Sequence, residues 1–193
     1  MPSAAELIQI VDATMAEAVR KSGSWIACRA GCCHCCLGPF PITPWDAARL
    51  REGLADLAIV DPQRAARVTA RALDAVARLP EFPARLDEDK FEALIESLPE
   101  EEPCPALDPI AGTCELYEFR PITCRTFGPA VQLGGDAVGA CELCYDGASD
   151  EVIADCTVQL DIAADEAELS GSGGPTLVAL ALVSTPARCP SST

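Results

Sequence analysis

The sequence is poor in histidine and aromatic residues, and its second half is poor in basic residues. A single histidine, His34, among 193 residues excludes a zinc hydrolase site built from several histidines and leaves a serine or cysteine triad without its base. Residues 1–90 hold 11 basic and 12 acidic side chains, whereas residues 91–193 hold 3 and 18. This acidic protein, with a net charge of −16, would repel a phosphate backbone, so nucleic acid is not an expected partner.

Long apolar runs are also missing. Apolar residues make up 49% of the sequence, enough for a core, but the longest apolar stretch, within residues 176–183, is far too short to span a bilayer. Polar residues interrupt residues 1–19, so no signal peptide is visible. No GxGxxG nucleotide loop is present either, and Gly134-Gly135 and the Gly-Ser-Gly-Gly run at 171–174 are weak substitutes. We therefore expect a cytoplasmic protein without a membrane partner, and we leave open whether it is an enzyme.

Cysteine, by contrast, is abundant. Twelve cysteines in a chain without an export signal favour thiolates and metal over disulfides, because a reducing compartment keeps thiols reduced. Four of them lie within residues 32–36, on either side of His34, and adjacent cysteines form a disulfide only with strain. His34, between two cysteines, is expected to face solvent or a carbonyl rather than a metal.

The cysteines fall into three segments. In the first cysteine segment, residues 28–36, gaps of two and three residues let one loop direct several sulfurs at one centre, and Gly31 can supply a turn at positive φ. The second, residues 104–124, has a cysteine on each arm of a predicted hairpin and a third after Arg120-Pro121. The third, residues 141–144, is a CxxC pair without the βαβ context of a redox motif, so we interpret it as ligands.

Two arginines flank the last cysteine of the second segment. Arg120 and Arg125 are the only cations between Phe91 and Ala187. A thiolate centre is negatively charged, and both guanidinium groups could offset this charge through outer hydrogen bonds to the sulfurs. Salt bridges to Glu115 and Glu118 are the alternative interpretation.

Helical periodicity dominates the rest of the chain and predicts a mainly α fold with a small β-hairpin, a helical domain organised around cysteine-rich metal-binding loops. Helix starts are indicated at Thr43-Pro44 and Asp61-Pro62, and Ser149 should cap a helix reaching about Leu169. A last helix is expected near residues 176–183. The predicted apolar stripes are Leu7, Val11, Met15 and Ala18; Leu50, Leu54 and Leu57; Val68, Ala72, Val76 and Leu79; and Phe91, Leu94, Ile95 and Leu98.

This pattern divides the chain into three parts. Residues 1–26 form an N-terminal helix, and residues 27–147 form a cysteine-rich metal-binding domain with a helical insertion at 44–99. Residues 148–193 form C-terminal helices and a frayed tail, packed on the same domain. Cys189 in that tail is the least expected ligand.

Several motifs together resemble the YkgJ-type cysteine-cluster family, described as zinc- or iron-chelating domains with a CxxCxxCC signature. The similar motifs, in order, are Cys32-x-x-Cys35-Cys36 preceded by Cys28, then Gly-Pro-Phe-Pro-Ile-Thr, Cys104-Pro-Ala-Leu with Gly-Thr-Cys114-Glu-Leu-Tyr, and Arg120-Pro121-x-x-Cys124-Arg125-x-Phe127-Gly128. The resemblance implies metal-ligand roles for Cys28, Cys32, Cys35, Cys36, Cys104, Cys114, Cys124 and one or both of Cys141 and Cys144. The first gap is one residue longer than in the commonest signature, and Cys33 is an extra thiol.

The expected function is metal binding. We expect the thiolates to hold an iron–sulfur cluster, zinc, or both, with iron–sulfur preferred because cysteines are in surplus and because some relatives, such as flagellin lysine methylases, resemble iron–sulfur enzymes. Such a centre could support redox or protein-modification chemistry, with a protein partner left unspecified. The alternative is a structural zinc adaptor without activity.

Overall fold

The computed structural model describes residues 2–39, 41–80, 88–135 and 138–184, and in these ranges the fold is mainly α with small β elements, which confirms the predicted class. The helices are α1 (Ala4–Ser22), α2 (Pro44–Val60), α3 (Pro62–Arg78), α4 (Glu88–Glu96), α5 (Ile122–Arg125), α6 (Asp150–Cys156), α7 (Ala163–Ser170) and α8 (Val178–Val183). The strands are β1 (Pro41–Ile42), β2 (Leu107–Asp108), β3 (Thr113–Cys114), β4 (Val131–Leu133), β5 (Val138–Gly139), β6 (Val158–Leu160) and β7 (Thr176–Leu177). Of the described helices, none combines the length and apolarity needed to cross a lipid bilayer.

Side-chain caps set the starts of the long helices. The Thr43 hydroxyl accepts a hydrogen bond from the Asp46 N–H, and Pro44 occupies the first turn of α2. The Asp61 carboxylate does the same for the N–H of Arg64 at the start of α3. Both predicted starts are therefore confirmed, since each cap satisfies a backbone donor that the first helical turn leaves free.

Helices α2, α3 and α8 pack together as a three-helix unit, which we call the helical frame. Its core contains Leu50 from α2, Val68 and Ala72 from α3, and Ala181 and Leu182 from α8. Burying a leucine or valine side chain contributes roughly 1.5–3 kcal/mol. The predicted stripes of α2 and α3 are confirmed as core-facing, with their outer members only half-buried.

Helix α1 packs on a separate three-stranded sheet with strand order β5-β4-β6. The predicted α1 stripe is confirmed: its four members, Leu7, Val11, Met15 and Ala18, are buried. They meet Val131, Val158 and Leu160 of the sheet, and Ile122 of α5. Since Ile122 lies two residues before Cys124, this second core supports the cysteine-bearing turn.

The predicted hairpin is present, with shorter strands than expected. β2 and β3 are antiparallel, with Leu107 opposite Cys114 and Asp108 opposite Thr113. The Asp108 carboxylate accepts hydrogen bonds from the N–H groups of Ile110 and Ala111 in the turn. This side-chain turn holds the two cysteine-bearing arms together.

The single helix predicted from Ser149 to about Leu169 is wrong. Ser149 does cap α6, but α6 ends at Cys156, and β6 then pairs in parallel with β4 before α7 begins. The physical reason is a local change of period: Val158 and Leu160 are buried while Gln159 is exposed, the alternation of a strand. The last helix, α8, lies where it was predicted, and Cys189 falls outside the described residues.

Candidate metal centre

A cavity of about 670 Å³ lies where the three cysteine segments meet. The cysteines that the structure describes are all free thiols, so none of them is committed to a disulfide. Eight of the nine predicted ligands line the cavity: Cys28, Cys32, Cys35, Cys36, Cys104, Cys114, Cys124 and Cys141. The ninth, Cys144, is buried, and its N–H donates to the carbonyl of Cys141 at 2.9 Å.

Two cysteine segments meet at Gly128, and we call their thiols Cys28, Cys32, Cys141 and Cys144, the last three of which act electrostatically on Cys28, the Gly128 thiol group. Gly128 has φ of +120°, and a Cβ atom built on it would lie 2.8 Å from the Cys28 Sγ. Its carbonyl accepts a hydrogen bond from the Cys141 N–H at 3.0 Å. Glycine is thus required here by both conformation and space, and the backbone joins the first cysteine segment to the third.

Partial burial, followed by the neighbouring Cys144, raises the pKa of the Cys28 thiol to about 12. Burial also raises the pKa of Cys141. These two thiols therefore keep their protons at neutral pH in the absence of metal, and a metal ion would have to displace these protons.

The other five predicted ligands, which we call the hairpin thiol group, surround the β2–β3 hairpin. The Cys104 N–H donates to the Cys36 carbonyl at 2.7 Å, which ties the entry of the hairpin to the first cysteine segment. Burial raises the pKa of Cys104 to about 12 and raises the pKa values of Cys114 and Cys124. The members of this group are Cys35, Cys36, Cys104, Cys114 and Cys124.

The thiols of Cys35 and Cys36 shift each other's pKa in opposite directions. Interaction with the Cys36 thiol is the main cause that lowers the pKa of Cys35, to about 6, and the positive charge of Arg120 acts in the same direction. The same interaction, together with burial, raises the pKa of Cys36. Of the two adjacent thiols, Cys35 is therefore the more acidic.

A second glycine contact brings the hairpin turn onto the first cysteine segment. Gly112 has φ of +65°, and a Cβ atom on it would lie 2.9 Å from the carbonyl oxygen of Gly31. Two residues after the first cysteine segment, the Gly38 N–H donates to the Glu102 carbonyl at 2.8 Å. The first segment is therefore held along the hairpin by backbone contacts rather than by its sulfurs.

Cys124 is positioned by a buried acid. Asp46 is fully buried in α2, and its carboxylate accepts the Ile122 N–H at 3.0 Å at the start of α5, the turn that carries Cys124. Burial raises the pKa of Asp46 to about 6, although that hydrogen bond opposes the rise. The sequence alone assigns Asp46 no role at this site. Its spacing from Leu50 and Gly53, on one helical face, was the available signal.

The backbone of the Arg-Pro turn before Cys124 is held by two guanidinium groups. Arg49 donates to the carbonyls of Arg120 and Glu118 at 3.1 and 3.3 Å. Arg125 donates to the same two carbonyls and pairs with Asp12 of α1, with an N–O distance of 2.7 Å. Arg125 lines the cavity, yet its guanidinium group forms its hydrogen bonds with the backbone of this turn and with Asp12 of α1.

Arg120 is placed differently. It lines the cavity, its guanidinium group stacks 3.6 Å from the centre of the Tyr117 ring, and its charge favours the thiolate of Cys35. Among the described ion pairs, neither Arg120 nor Arg125 pairs with Glu115 or Glu118, the alternative partners. Glu115 instead pairs with Arg64 and Arg71 of α3, and Glu118 contributes its backbone carbonyl.

Of the described residues left out of the predicted ligand set, Cys156 packs in one buried cluster with Cys141 and Cys144. Cys33 is half-buried and does not line the cavity, and the buried Cys156 contacts the Lys21 carbonyl at 3.6 Å. His34 lies at the cavity wall with its Nε2 atom 2.9 Å from a carboxylate oxygen of Glu142. Its partner is thus a carboxylate, not the solvent or carbonyl that the sequence suggested.

The donor set is entirely thiol, which suits zinc and iron–sulfur centres. Within the described ranges, no three or more histidine, cysteine or acidic side chains are already arranged to hold an ion. The chemistry of the donors fits such a centre, and the Gly128 and Gly112 contacts bring their backbones together.

Comparison with known proteins gives one match. The family model of the CxxCxxCC domain, described as "Putative zinc- or iron-chelating domain", matches residues 27–145. No curated protein and no solved structure matches the chain. The matched span begins one residue before Cys28 and ends one residue after Cys144, so it contains all nine predicted ligands.

Proposed function

This chain belongs to the CxxCxxCC family of zinc- or iron-chelating domains, and we propose that it binds its metal through thiolates of the Gly128 and hairpin thiol groups. The observation that carries the proposal is the cavity that eight of the nine predicted ligands line. These cysteines come from three segments that are far apart in the sequence. Ordinary core packing does not require so many free thiols to meet at one cavity.

We favour an iron–sulfur cluster as part of the bound metal. Nine thiols exceed the four that one zinc ion takes, and the burial of Cys104 and Cys124 suits a cluster whose potential depends on its surroundings. A bound cluster supplies one-electron chemistry, which could support redox or protein-modification reactions. Structural zinc without activity is the alternative. Free thiols of this number also suit the reducing cytoplasm, where we place the protein.

Metal analysis of the intact chain tests this proposal. The protein is purified without oxygen, and its iron, zinc and acid-labile sulfide are measured together with its visible absorption spectrum. We expect bound metal, with iron, sulfide and a brown colour. A colourless zinc protein would support the structural alternative, and a folded chain without metal would overturn the proposal.

A pair of cysteine variants tests the ligand set. Cys124→Ser removes a half-buried thiol that lines the cavity, so we expect the variant to lose metal and stability, because ligand bonds contribute folding free energy. Cys33→Ser is the matched control, since Cys33 is half-buried and does not line the cavity. Equal metal content in the two variants would show that Cys124 is not a ligand.

A further inference from the structure

The nine predicted ligands form two groups that have no thiol in common. Resting on the proposed function, we infer that the chain holds two separate metal centres. The Gly128 thiol group binds one four-coordinate zinc ion, and the hairpin thiol group binds an iron–sulfur cluster.

The Gly128 thiol group has the composition of a closed zinc site. It supplies four thiols from two short sequence segments, with gaps of three residues in one and two in the other, which is typical of structural zinc. Gly128 links the segments, because it contacts the Cys28 sulfur and accepts the Cys141 N–H. Four thiolates satisfy a tetrahedral ion, so this group needs no ligand from the hairpin.

The Gly128 thiol group is attached to the end of α1. Tyr145, directly after Cys144, has φ of +62° and is buried. Its hydroxyl lies 2.5 Å from the Ser22 hydroxyl at the end of α1 and accepts the Ala130 N–H at 2.9 Å. Its own N–H donates to the Trp25 carbonyl at 3.0 Å. These bonds fix the third cysteine segment against α1, away from the helical frame.

The hairpin thiol group is attached to the helical frame instead. Cys104 and Cys114 pack against the core of α2, α3 and α8. The buried carboxylate of Glu115 pairs with Arg64 and Arg71 of α3, and the Arg71 Nε donates to the Pro105 carbonyl at 2.8 Å. Asp46 of α2 holds the turn of Cys124. Cys104 and Cys114 are therefore built on the helical frame, whereas the turn of Cys124 is held by both the frame and α1.

The number of thiols separates the two centres chemically. Five thiols are one more than a tetrahedral ion accepts. A cluster with several metal atoms can use thiolates that arrive from several directions around a larger space. Electrostatic neighbours agree with this division: Cys28 interacts with Cys32, Cys141 and Cys144, whereas Cys124 interacts with Cys35, Cys104 and Cys114.

Two variants of the full chain test the assignment, with Cys33→Ser as the control. After anaerobic purification, we expect Cys144→Ser to lose about one zinc ion per chain and to keep its iron and sulfide. We expect Cys104→Ser to lose iron and sulfide and to keep its zinc. Parallel loss of both metals in both variants would overturn the assignment. Absence of metal from the unaltered chain would overturn the proposed function itself.

Cobalt titration keeps the inference testable if a variant does not fold. The metal-free, reduced, unaltered chain is titrated with Co²⁺, whose thiolate complexes absorb visible and near-ultraviolet light. Two centres predict saturation at two or more equivalents of Co²⁺ per chain. Saturation at one equivalent would overturn the inference while leaving metal binding by the family domain intact.

Discussion

The helical frame consists of two 17-residue helices and α8 around an apolar core, whereas the cysteine segments are held by two-residue strands, 3-10 turns and the four-residue α5. The frame can offset its conformational entropy with buried side chains such as Leu50 and Val68. The cysteine segments rely on glycine contacts, backbone hydrogen bonds and thiols. The difference indicates that metal stabilises one region far more than the other.

Metal removal should give the largest effect. Structural zinc sites contribute about 10–16 kcal/mol of apparent binding free energy, so chelation under reducing, anaerobic conditions should release the cysteine segments. We expect hydrogen-exchange protection to fall in residues 27–39 and 103–147 and to persist in α2, α3 and α8. Loss of protection in both regions at the same chelator concentration would contradict independent stability of the frame.

Leu50→Ala tests the stability of the helical frame. Leu50 is 1% exposed in the core of the frame, so the cavity left by the substitution should lower the free energy of unfolding by about 2–5 kcal/mol. Metal content per folded chain should not change. Ile59→Ala, on the same helix at a side chain that is 82% exposed, is the control and should change the free energy by less than about 0.5 kcal/mol. An equal loss of unfolding free energy in Leu50→Ala and Ile59→Ala would show that this core does not stabilise the frame.

Glu115→Gln cuts the link between the two regions. The Glu115 side chain is 1% exposed and pairs with Arg64 and Arg71 across the boundary between hairpin and frame. Loss of its charge should lower the free energy of unfolding by about 1.5–3 kcal/mol and weaken metal retention by the hairpin thiol group. Glu118→Gln is the control in the same loop, because Glu118 is exposed and contributes its carbonyl to the described bonds. Unchanged metal retention in Glu115→Gln would place the link elsewhere.

Features that follow local rules could be predicted from the sequence. Caps at Thr43 and Asp61, the α1 stripe and the hairpin turn each depend on residues within a few positions of one another. The cysteine spacing likewise indicates metal, because sulfurs two and three residues apart can point at one centre. The family match covers the same span.

Features that depend on distant parts of the chain could not be predicted. β6 is extended because it pairs with β4, which lies in an earlier segment of the chain: Val158 of β6 is opposite Val131 of β4. The role of Gly128 depends on Cys28, which lies against it. The role of Arg125 depends on Asp12 of α1, with which it forms an ion pair. The proposed division of the thiols into two groups has the same origin, since it depends on which turn each segment contacts.

The smallest expected effect is a pH dependence of folding stability in the region of the helical frame. Glu166 of α7 is half-buried beside α2, and burial, followed by the charge of Asp46, raises its pKa to about 7, although the Thr43 hydroxyl opposes the rise. Burial likewise raises the pKa of Asp46, whose charged neighbours include Arg49 and Arg125. A carboxyl with a raised pKa binds its proton more tightly in the folded state, so stability is greatest below its ordinary value of 4.5 and falls as pH rises to about 7.

Glu166→Gln should therefore raise the melting temperature at about pH 8 and have little effect at about pH 4. The gain should be smaller than the effects above, because solvent screens a half-exposed carboxylate. Glu168→Gln, at an exposed position of the same helix, is the control. Melting curves measured with and without metal separate the regions: an equal gain in both states assigns the titration to the frame, whereas a gain only in the metal-loaded state would couple α7 to the thiols through Asp46.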